Sequence, residues 1–296
     1  MQDFKMQTFL SACRTANYTR TAAELNITQP AVSQHISALE KHYQTKLFTY
    51  QNKKLTLTAS GIMLRDIAMT IEHDELMLQE KISHINTRIQ HLRVGMTLTA
   101  GEYLLALPLA RYLKKHPNIQ AHLLSSGTEN LLELLRDGSI DCAFVEGYFD
   151  KSDFDWNVFC REKLVAVCAY GHQFASPDVR TINDLLGERI LIREKGSGTR
   201  AVLEHALCER NLSLANFSQQ TEITSLNIIK TFAAQDYGIA FLYEAAIHFE
   251  LATERLVLIE LSEAPTEHDI TFICLKNSAF QEEFQNLFDE LKAYTL

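Results

Sequence analysis

The amino-acid sequence predicts a multidomain protein with three parts: an α-rich winged helix-turn-helix, a long linker helix and a two-lobed α/β region. The first 58 residues combine three amphipathic helical patterns with a short basic hairpin pattern. Residues 62–94 contain neither Gly nor Pro, which favours one long helix. From residue 92 onward, short apolar runs alternate with amphipathic stretches, a pattern typical of α/β folds. Among these elements we expect a helix at 101–117 and a strand at 164–169.

The first two helices are predicted from apolar spacing and from residues that suit helix ends. Apolar residues recur at i, i+3, i+4 and i+7 in the first helix: Met6, Phe9, Leu10 and Cys13. Thr19 is the expected N-cap of a second helix, in which the small Ala22 and Ala23 allow another helix to cross closely. Asn26 and Ile27 form the predicted turn.

The third helix is predicted to have one buried face and one polar face. Thr28 is its expected N-cap, and Pro30 lies in the first turn, where a missing N–H costs nothing. The two faces separate at 100° per residue: Val32, Ile36 and Leu39 on one, and Ser33, Gln34, Ser37 and Lys41 on the other. Short donors and acceptors on the polar face suit the edges of DNA bases.

Individual side chains on that face have predictable roles at DNA. The amides of Gln34 and Gln29 can each pair with adenine, and Pro30 or Ala31 can contact a thymine methyl group. The hydroxyls of Ser33 and Thr28 are short enough to reach phosphates. The alternative is that this is the ordinary solvated face of a helix. Three helices in this order, followed by a basic hairpin, favour DNA.

Residues 46–48 and 55–58 are the predicted strands of the hairpin, with Asn52, Lys53 and Lys54 at its tip. Two adjacent lysines there would reach a flanking phosphate or the minor groove, although lysines in an exposed turn are often only solvated. The complete expected DNA contact set is Thr28, Gln29, Pro30, Ser33, Gln34, Ser37, Lys53 and Lys54.

The run AAELNITQPAVSQHISALEKHYQTKLF, followed by LTLTASG, resembles the winged helix-turn-helix of LysR-type transcriptional regulators. The match is dense over about forty residues, which makes it far more specific than a short motif. One position departs from the family pattern, because Tyr50 stands where an Arg is usual. The resemblance implies a phosphate contact from that Arg, for which Lys53, Lys54 or the Tyr50 hydroxyl could substitute.

Charge is unevenly distributed along the chain. Residues 1–58 hold seven basic and three acidic side chains, a net of +4, so the rest of this −9 chain carries −13. A basic module on an acidic body fits specific DNA binding through one end.

Composition and motifs bound the remaining function classes. With 296 residues and 46% apolar content, the chain can bury a large core. No apolar run approaches the roughly 18 residues that a membrane span needs, and the first residues do not form an apolar signal segment. The six cysteines are scattered, and no Cys or His pair has the spacing of a zinc site. We therefore expect a cytoplasmic protein with reduced thiols, no cofactor, no metal and no enzymatic activity, since H-E-x-x-H and G-x-S-x-G are also absent.

The long helix carries an apolar seam interrupted by Glu75. The seam consists of Ile71, Leu78, Ile82, Ile85 and Ile89. It could pack on its own domain. The family resemblance instead implies an antiparallel helix pair across a homodimer, which can pair further into a homotetramer. A two-fold axis would then favour a near-palindromic promoter site on double-stranded DNA.

The α/β region resembles the effector-binding domain of the same family, whose fold is that of periplasmic solute-binding proteins. RDGSIDCAFVEG and DYGIAFL carry the likeness, with Asp236 and Tyr237 replacing the more usual small residues. We expect a DNA-binding domain at 1–58, a linker and dimerisation helix at 59–90, and an effector domain at 91–296. Its lobe I would comprise about 91–163 and 267–296, and its lobe II about 164–266.

Two strand-to-helix loops predict the effector site, because free N–H groups at helix starts attract anions. They are MTLTAGEY and the Gly-rich IREKGSGTR, in which Lys195 or Arg200 could offset negative charge. The expected effector contacts are Thr97, Thr99, Ala100, Ser125, Gly147, Gly196, Ser197, Thr199, Arg200 and Ser225. A small anion is the expected ligand. The alternative for the second loop is an ordinary N-cap with turn glycines.

Two other functions remain open at this point. Cys160 and Cys168 flank the cations Arg161 and Lys163, and nearby cations can make a thiol reactive, so a redox-sensing regulator is the alternative. Their position near and within an apolar strand favours inert packing. A solute-binding transport component would require export, which the sequence does not favour.

Overall fold

The computed structural model describes residues 3–51, 54–83, 89–262 and 266–295. It divides into two compact units. The first contains Met1–Arg88 with the short segments Arg136–Gly138 and Leu275–Gln281, and the second contains the remainder. The tip of the predicted hairpin, Asn52 and Lys53, lies outside the described residues, as does Ile85 of the predicted helix seam.

The first unit has the predicted order of three helices, a hairpin and a long helix. Its elements are α1 (Phe4–Thr15), α2 (Tyr18–Glu24), α3 (Gln29–Tyr43), β1 (Phe48–Gln51), β2 (Lys54–Leu57) and α4 (Ala59–Ser83). β1 and β2 are antiparallel, with Phe48 opposite Leu57. The predicted inner face of α3 is buried, and it packs with Phe9 and Leu10 of α1.

The N-caps of α2 and α3 differ in how well the sequence predicted them. Thr28 caps α3 as expected, because its side chain accepts a hydrogen bond from the N–H of Ala31. Thr19 as the cap of α2 was wrong. The cap is Asn17, whose Oδ1 accepts from the N–H groups of Thr19 and Arg20 at 2.8 and 3.1 Å. The helix begins at Tyr18, so Thr19 already lies in its first turn.

α4 is a 25-residue helix that starts before Gly61. Of the roughly 30 residues expected to be helical, those at 84–88 lie outside the described residues. A Cβ at Gly61 would collide with the carbonyl oxygen of Leu47, so this glycine is a close-packing position inside the helix. One side of α4 is buried through Ala68, Met69 and Met77. The exposed apolar residues of α4 are Ile62, Met63, Ile67, Ile71, Leu76, Leu78 and Ile82. Five of them, Met63, Ile67, Ile71, Leu78 and Ile82, share the side opposite the buried one.

The second unit alternates strands and helices around one mixed sheet. Its strands are β3 (Gln90–Met96), β4 (Ile119–Ser125), β5 (Cys142–Val145), β6 (Phe154–Ala169), β7 (Arg189–Ile192), β8 (Gln219–Glu222), β9 (Ile239–Tyr243), β10 (Leu256–Leu258) and β11 (Thr266–Leu275). Its helices are α5 (Ala106–Lys115), α6 (Thr128–Arg136), α7 (Gly198–Cys208), α8 (Leu226–Ala234), α9 (His248–Ala252) and α10 (Gln281–Ala293). α6 and α10 each extend a short way into the first unit.

The sheet order is β4-β3-β5-β11-β6-β9-β7-β8, with β10 beside β6. β3 is parallel to β4 and β5, and β7 is parallel to β8 and β9. We call the half around β3, β4, β5 and β11 lobe I, and the half around β7–β10 lobe II. Aromatic residues fill the lobe I core, where the Phe144 ring centroid lies 5.0 Å from that of Phe272. The predicted fold class, with its two-lobed mixed α/β part, is confirmed.

Three details of this unit differ from the prediction. The helix expected at 101–117 begins as a π-helix, Ala100–Leu105, before α5. β6 is 16 residues long, whereas only its end, 164–169, was expected. β8 and β10 were not predicted, because each is short.

Within the described ranges, no helix combines the length and apolar content that crossing a membrane requires. No group of three or more His, Cys, Asp or Glu side chains in the described part of the chain is arranged to hold a metal ion.

Candidate functional site

The outer face of α3 is accessible along its N-terminal half. Gln29, Pro30, Gln34 and Ser37 are exposed, and Ser33 is partly buried. Thr28 is exposed as well, although its hydroxyl caps the helix. A helix whose polar residues remain accessible at its N-terminal end can present them to a DNA groove.

The hairpin beside α3 is attached to it through Glu40. The Glu40 carboxylate accepts from the N–H of Leu47 at 3.0 Å and pairs with Lys46 at 2.5 Å. Tyr50, which replaces the usual Arg of the family, is 67% exposed on β1. Lys54 is the first residue of β2, and Lys53 lies outside the described residues. Of the two lysines expected to contact DNA, only the backbone of Lys54 is therefore described.

The second candidate site lies where the chain leaves the carboxyl ends of β3, β5 and β7. Thr97, Thr99 and Ala100 follow β3, and Glu146 and Gly147 follow β5. The Gly-rich loop follows β7 and leads into α7. The side chains gathered here are almost fully buried: Thr97, Thr99, Ala100, Glu146, Ser197 and Thr199. We call this group the cleft cluster.

Glycines allow the segments that carry the cleft cluster to approach each other. Gly147 and Gly196 have φ values of +93° and +84°, which favour glycine. A Cβ at Gly198 would collide with the carbonyl oxygen and Cγ of Glu146. A Cβ at Gly127 would lie 2.8 Å from the carbonyl oxygen of Gly196. The packing of these segments against each other therefore depends on glycine at these positions.

Glu146 lies at the centre of the cluster. Its Oε1 accepts a hydrogen bond from the Thr199 hydroxyl at 2.6 Å, and the side chain of Thr128 donates to its backbone carbonyl at 2.7 Å. Burial raises the pKa of the Glu146 carboxyl, although hydrogen bonding to Thr199, the positive charge of Arg193 and the nearby Thr97 hydroxyl oppose that rise. Sequence reasoning missed this residue. The available signal was a carboxylate directly after an apolar strand, next to the glycine that was selected.

Two buried oxygens of the cluster have no hydrogen-bond partner among the described residues: Oγ1 of Thr99 and Oε2 of Glu146. A buried polar atom without a partner is costly, and such atoms concentrate at functional sites. The N–H of Ala100, which was expected to be free, is directed to Oγ1 of Thr97 at 3.4 Å. Side-chain oxygens rather than the Ala100 amide are therefore the groups left unsatisfied beside β3.

The remaining predicted residues line two cavities beside the cluster. One, of about 340 Å³, is bordered by Gly147, Gly196, Ser197 and Arg200. The other, of about 370 Å³, is bordered by Ser125 and Ser225. The structure therefore brings the expected residues to one region but divides them between two openings.

Arg200 has its guanidinium group engaged within the protein. It donates to Glu204 at 2.8 Å, to Glu222 at 2.6 Å and to the carbonyl of Arg193 at 3.0 Å. Ser225 caps α8, since its side chain accepts from the N–H of Ile228. The exposed Lys195 is the cation of this loop that borders the cavity without a described ion pair.

The two cysteines of the redox alternative lie on the same strand, β6. Eight residues of extended chain span about 26 Å, which is too far for a disulfide between them. Burial raises the pKa of both Cys160 and Cys168 to about 12, so the reactive thiolate is disfavoured. This geometry gives the redox alternative no support.

Family comparisons cover both units. A model of the bacterial regulatory helix-turn-helix protein, lysR family, matches residues 5–62, and a model of the LysR substrate binding domain matches residues 86–295. A relative, the HTH-type transcriptional regulator CysL of Bacillus subtilis (strain 168), is 26% identical over 269 residues, covering 90% of this chain and 89% of that protein.

Solved structures share the fold of the α/β region. The CcmR regulatory domain of Synechocystis PCC6803, in complex with 2-PG, has a TM-score of 0.63 and 24% identity, covering 69% of this chain and 97% of that one. The effector binding domain of QuiR, in complex with shikimate, has a TM-score of 0.60 and 18% identity, covering 70% and 97%. The helix-turn-helix, the two-lobed α/β domain and both family matches together establish that this chain belongs to the LysR family of DNA-binding transcriptional regulators.

Proposed function

We propose that this regulator reads a near-palindromic promoter site with the outer face of α3 and responds to a small anionic effector held at the cleft cluster. The observation that carries the effector proposal is the buried Thr99 hydroxyl, which has no partner among the described residues and lies in the loop that follows β3. A bound anion would accept from this hydroxyl and from Ser197. CcmR and QuiR share the fold and were solved with ligands, and shikimate is a carboxylate.

For DNA, we propose a division of labour along α3 and the hairpin. Gln29 and Gln34 read base edges, while Thr28, Ser33 and Ser37 contact the backbone or neighbouring edges. Pro30 contacts a thymine methyl group, and Lys53 and Lys54 bind a flanking phosphate. The exposure of Gln29 and Gln34 supports these roles.

We also propose that α4 pairs with the same helix of a second copy. Its exposed apolar side chains, such as Ile71, Leu78 and Ile82, are between 50% and 59% exposed, which is costly for an unpartnered helix. A homodimer, or a homotetramer built from two of them, would cover this stripe and supply two DNA-binding domains. The proposed boundaries are 1–58, 59–90 and 91–296.

The effector acts by differential affinity for two states of the regulator, one of which binds or activates the promoter better. We propose that this occurs in the cytoplasm, where promoter DNA is found, and that the protein acts as a regulator rather than as an enzyme.

The experiment is thermal unfolding of the purified chain against sulfate, acetate, shikimate and a panel of amino acids. A specific anion should raise the melting temperature, because it binds only the folded state. The rise should be lost in Thr99→Ala and Ser197→Ala. Ser218→Ala is the matched control, since this exposed hydroxyl donates to the carbonyl of Glu188 outside the cluster.

Equal stabilisation of wild type and both cluster variants would place the anion elsewhere and contradict the effector proposal. If an amino acid stabilises the protein and the simple anions do not, the protein is folded but its effector is an amino acid rather than a small anion.

A further inference from the structure

The position of Glu146 creates a problem for an anionic effector. Its side chain is 1% exposed, and it lies within the cluster where the anion is proposed to bind. An ionised carboxylate there would repel a second negative charge in a poorly solvated environment, where such repulsion is strong. The cleft must either exclude anions or neutralise this carboxyl group.

The groups that face Glu146 come from several elements. Thr97 follows β3, Thr128 begins α6 and donates to the Glu146 carbonyl, and Thr199 lies in the first turn of α7. The nearby charge is that of Arg193 at the end of β7. That guanidinium is already paired with Glu194, with distances of 2.8 and 2.9 Å. Arg193 therefore offers Glu146 a shared rather than a dedicated positive charge.

Several further ionisable groups lie near Glu146. Glu129, Lys195 and Glu204 border the same cavity but are exposed, and His268 accepts from the N–H of Gly147. The buried one is the phenol of Tyr243, at the end of β9. Tyr243 is 1% exposed, and its hydroxyl has no hydrogen-bond partner in the described ranges. The negative charge of Glu146 and burial both raise the pKa of Tyr243, so the phenol stays neutral. Because Lys195 is exposed, its charge is solvated. Among the buried groups described around Glu146, none supplies a full compensating charge of its own.

Building on the proposed function, we propose that Glu146 admits an anionic effector only in its neutral form, so that one proton enters the cleft with each anion. The neutral acid keeps Oε1 as the acceptor of the Thr199 hydroxyl and carries its proton on Oε2, the oxygen without a described partner. This O–H then donates to the anion. The proton comes from solvent, and no covalent bond changes.

The sign of the pH dependence follows directly. Burial raises the pKa of Glu146, and anion binding would raise it further because the anion stabilises the neutral acid. Anion affinity should be constant below the pKa of the ligand-free protein. Above it, affinity should fall by up to about tenfold per pH unit, since one proton is bound per anion.

The test is calorimetric titration of the whole protein with sulfate, acetate or shikimate at constant ionic strength, from mildly acidic to mildly alkaline pH. Measurements in two buffers of different ionisation enthalpy give the protons taken up per anion. Wild type should take up as much as one proton above the pKa of Glu146. Glu146→Gln keeps the shape and supplies a permanent N–H donor, so it should bind the same anion with no proton uptake.

Glu133→Gln is the control, because this exposed α6 residue removes the same charge away from the cluster. It should retain the pH dependence of wild type. A pH dependence that persists in Glu146→Gln would assign the proton to another group, such as a histidine, and overturn the inference. So would wild-type binding without proton uptake, or loss of anion binding in a folded Glu146→Gln protein.

These outcomes are distinct from failure of the proposed function. If none of the three anions binds at any pH, the anionic effector itself is contradicted. If an anion binds through Thr99 and Ser197 with no contribution from Glu146, the proposed function stands and only the proton-coupled entry is rejected. The two-buffer measurement on wild type needs no variant, so the inference remains testable even if Glu146→Gln fails to fold.

Discussion

The outer face of α3 and the cleft cluster are both polar, but they are built in opposite ways. On α3, Gln29 and Gln34 are exposed, and the helix stands on a separate apolar face. In the cleft, Thr99 and Glu146 are buried, and each has an oxygen without a described partner. A surface that meets a large partner can stay solvated until contact, whereas a site for a small ligand must hold its polar groups ready. Substitutions on α3 should therefore change DNA binding without changing folding stability. Substitutions in the cleft should change both ligand binding and folding stability.

The largest effect should come from tightening the cleft. Gly198→Ala places a Cβ against the backbone and side chain of Glu146, neither of which can move freely. We expect a loss of about 3 kcal/mol in the free energy of unfolding, measured by chemical denaturation. Gly187→Ala is the control, since a Cβ there meets nothing within 4 Å. If both variants unfold alike, the packing around Glu146 is looser than the geometry indicates.

On α3, Gln34→Ala should weaken binding to the specific promoter site by about 1–3 kcal/mol, because a base-edge contact is lost. Affinity for unrelated DNA and the melting temperature should not change. Both can be measured by fluorescence anisotropy and thermal unfolding. Gln7→Ala, at an exposed position of α1, is the matched control. Equal losses on both DNAs would remove Gln34 from base readout.

In the cleft, Thr99→Val should stabilise the protein, whereas most substitutions of buried residues destabilise it. The change keeps the side-chain shape and removes a buried hydroxyl without a described partner, so the free energy of unfolding should rise by about 1 kcal/mol. The anion-induced rise in melting temperature should be lost. Thr21→Val makes the same change where the buried hydroxyl is hydrogen-bonded to Thr15 and to the carbonyl of Asn17, and it should destabilise. If both variants are less stable than wild type, the Thr99 hydroxyl must be hydrogen-bonded after all, and the prediction is wrong.

The smallest effect concerns Glu290, a polar group that belongs to neither site. Burial alone would raise its pKa, but hydrogen bonds from Lys115, His116 and Tyr294 outweigh burial and lower the pKa to about 2. The folded pKa lies below the unfolded value, so this stabilisation is present above about pH 4.5 and is lost as pH falls toward 2.

Glu290→Gln should therefore lower the free energy of unfolding at neutral pH by about 1 kcal/mol or less, because the group is near the surface. The gap from wild type should close on acidification, as measured by denaturation at several pH values. A gap that stays constant with pH would assign the effect to packing instead. Glu282→Gln is the control, because it removes the same charge at an exposed position of the same helix.

The sequence predicted the first unit in most details because its determinants are local. Helical spacing identified the buried face of α3, and Thr28 was a sufficient cap signal. The error at Thr19 arose because Asn17, two residues earlier, is an equally good capping residue and local patterns do not rank them.

The second unit was less predictable where long-range packing decides. The first part of β6 carries Arg161, Glu162 and Lys163, so its apolar pattern is weak, and pairing within the sheet determines it instead. No sequence signal marked the π-helix at Ala100–Leu105. Glu146 was missed because its position directly after an apolar strand does not reveal its partners. Its importance comes from Thr199 and Gly198, which lie more than fifty residues away in sequence.

The place of β11 in the sheet also has a consequence during synthesis on the ribosome. β11 pairs with β5 in the interior of lobe I, yet it and α10 are among the last elements of the chain. Lobe II has all its strands once β10 has emerged, so it can close first. Lobe I must wait, with the edge of β5 open, until β11 has emerged. A nascent chain stalled before residue 266 would therefore expose an unpaired strand edge, and chaperone dependence should be concentrated in that interval.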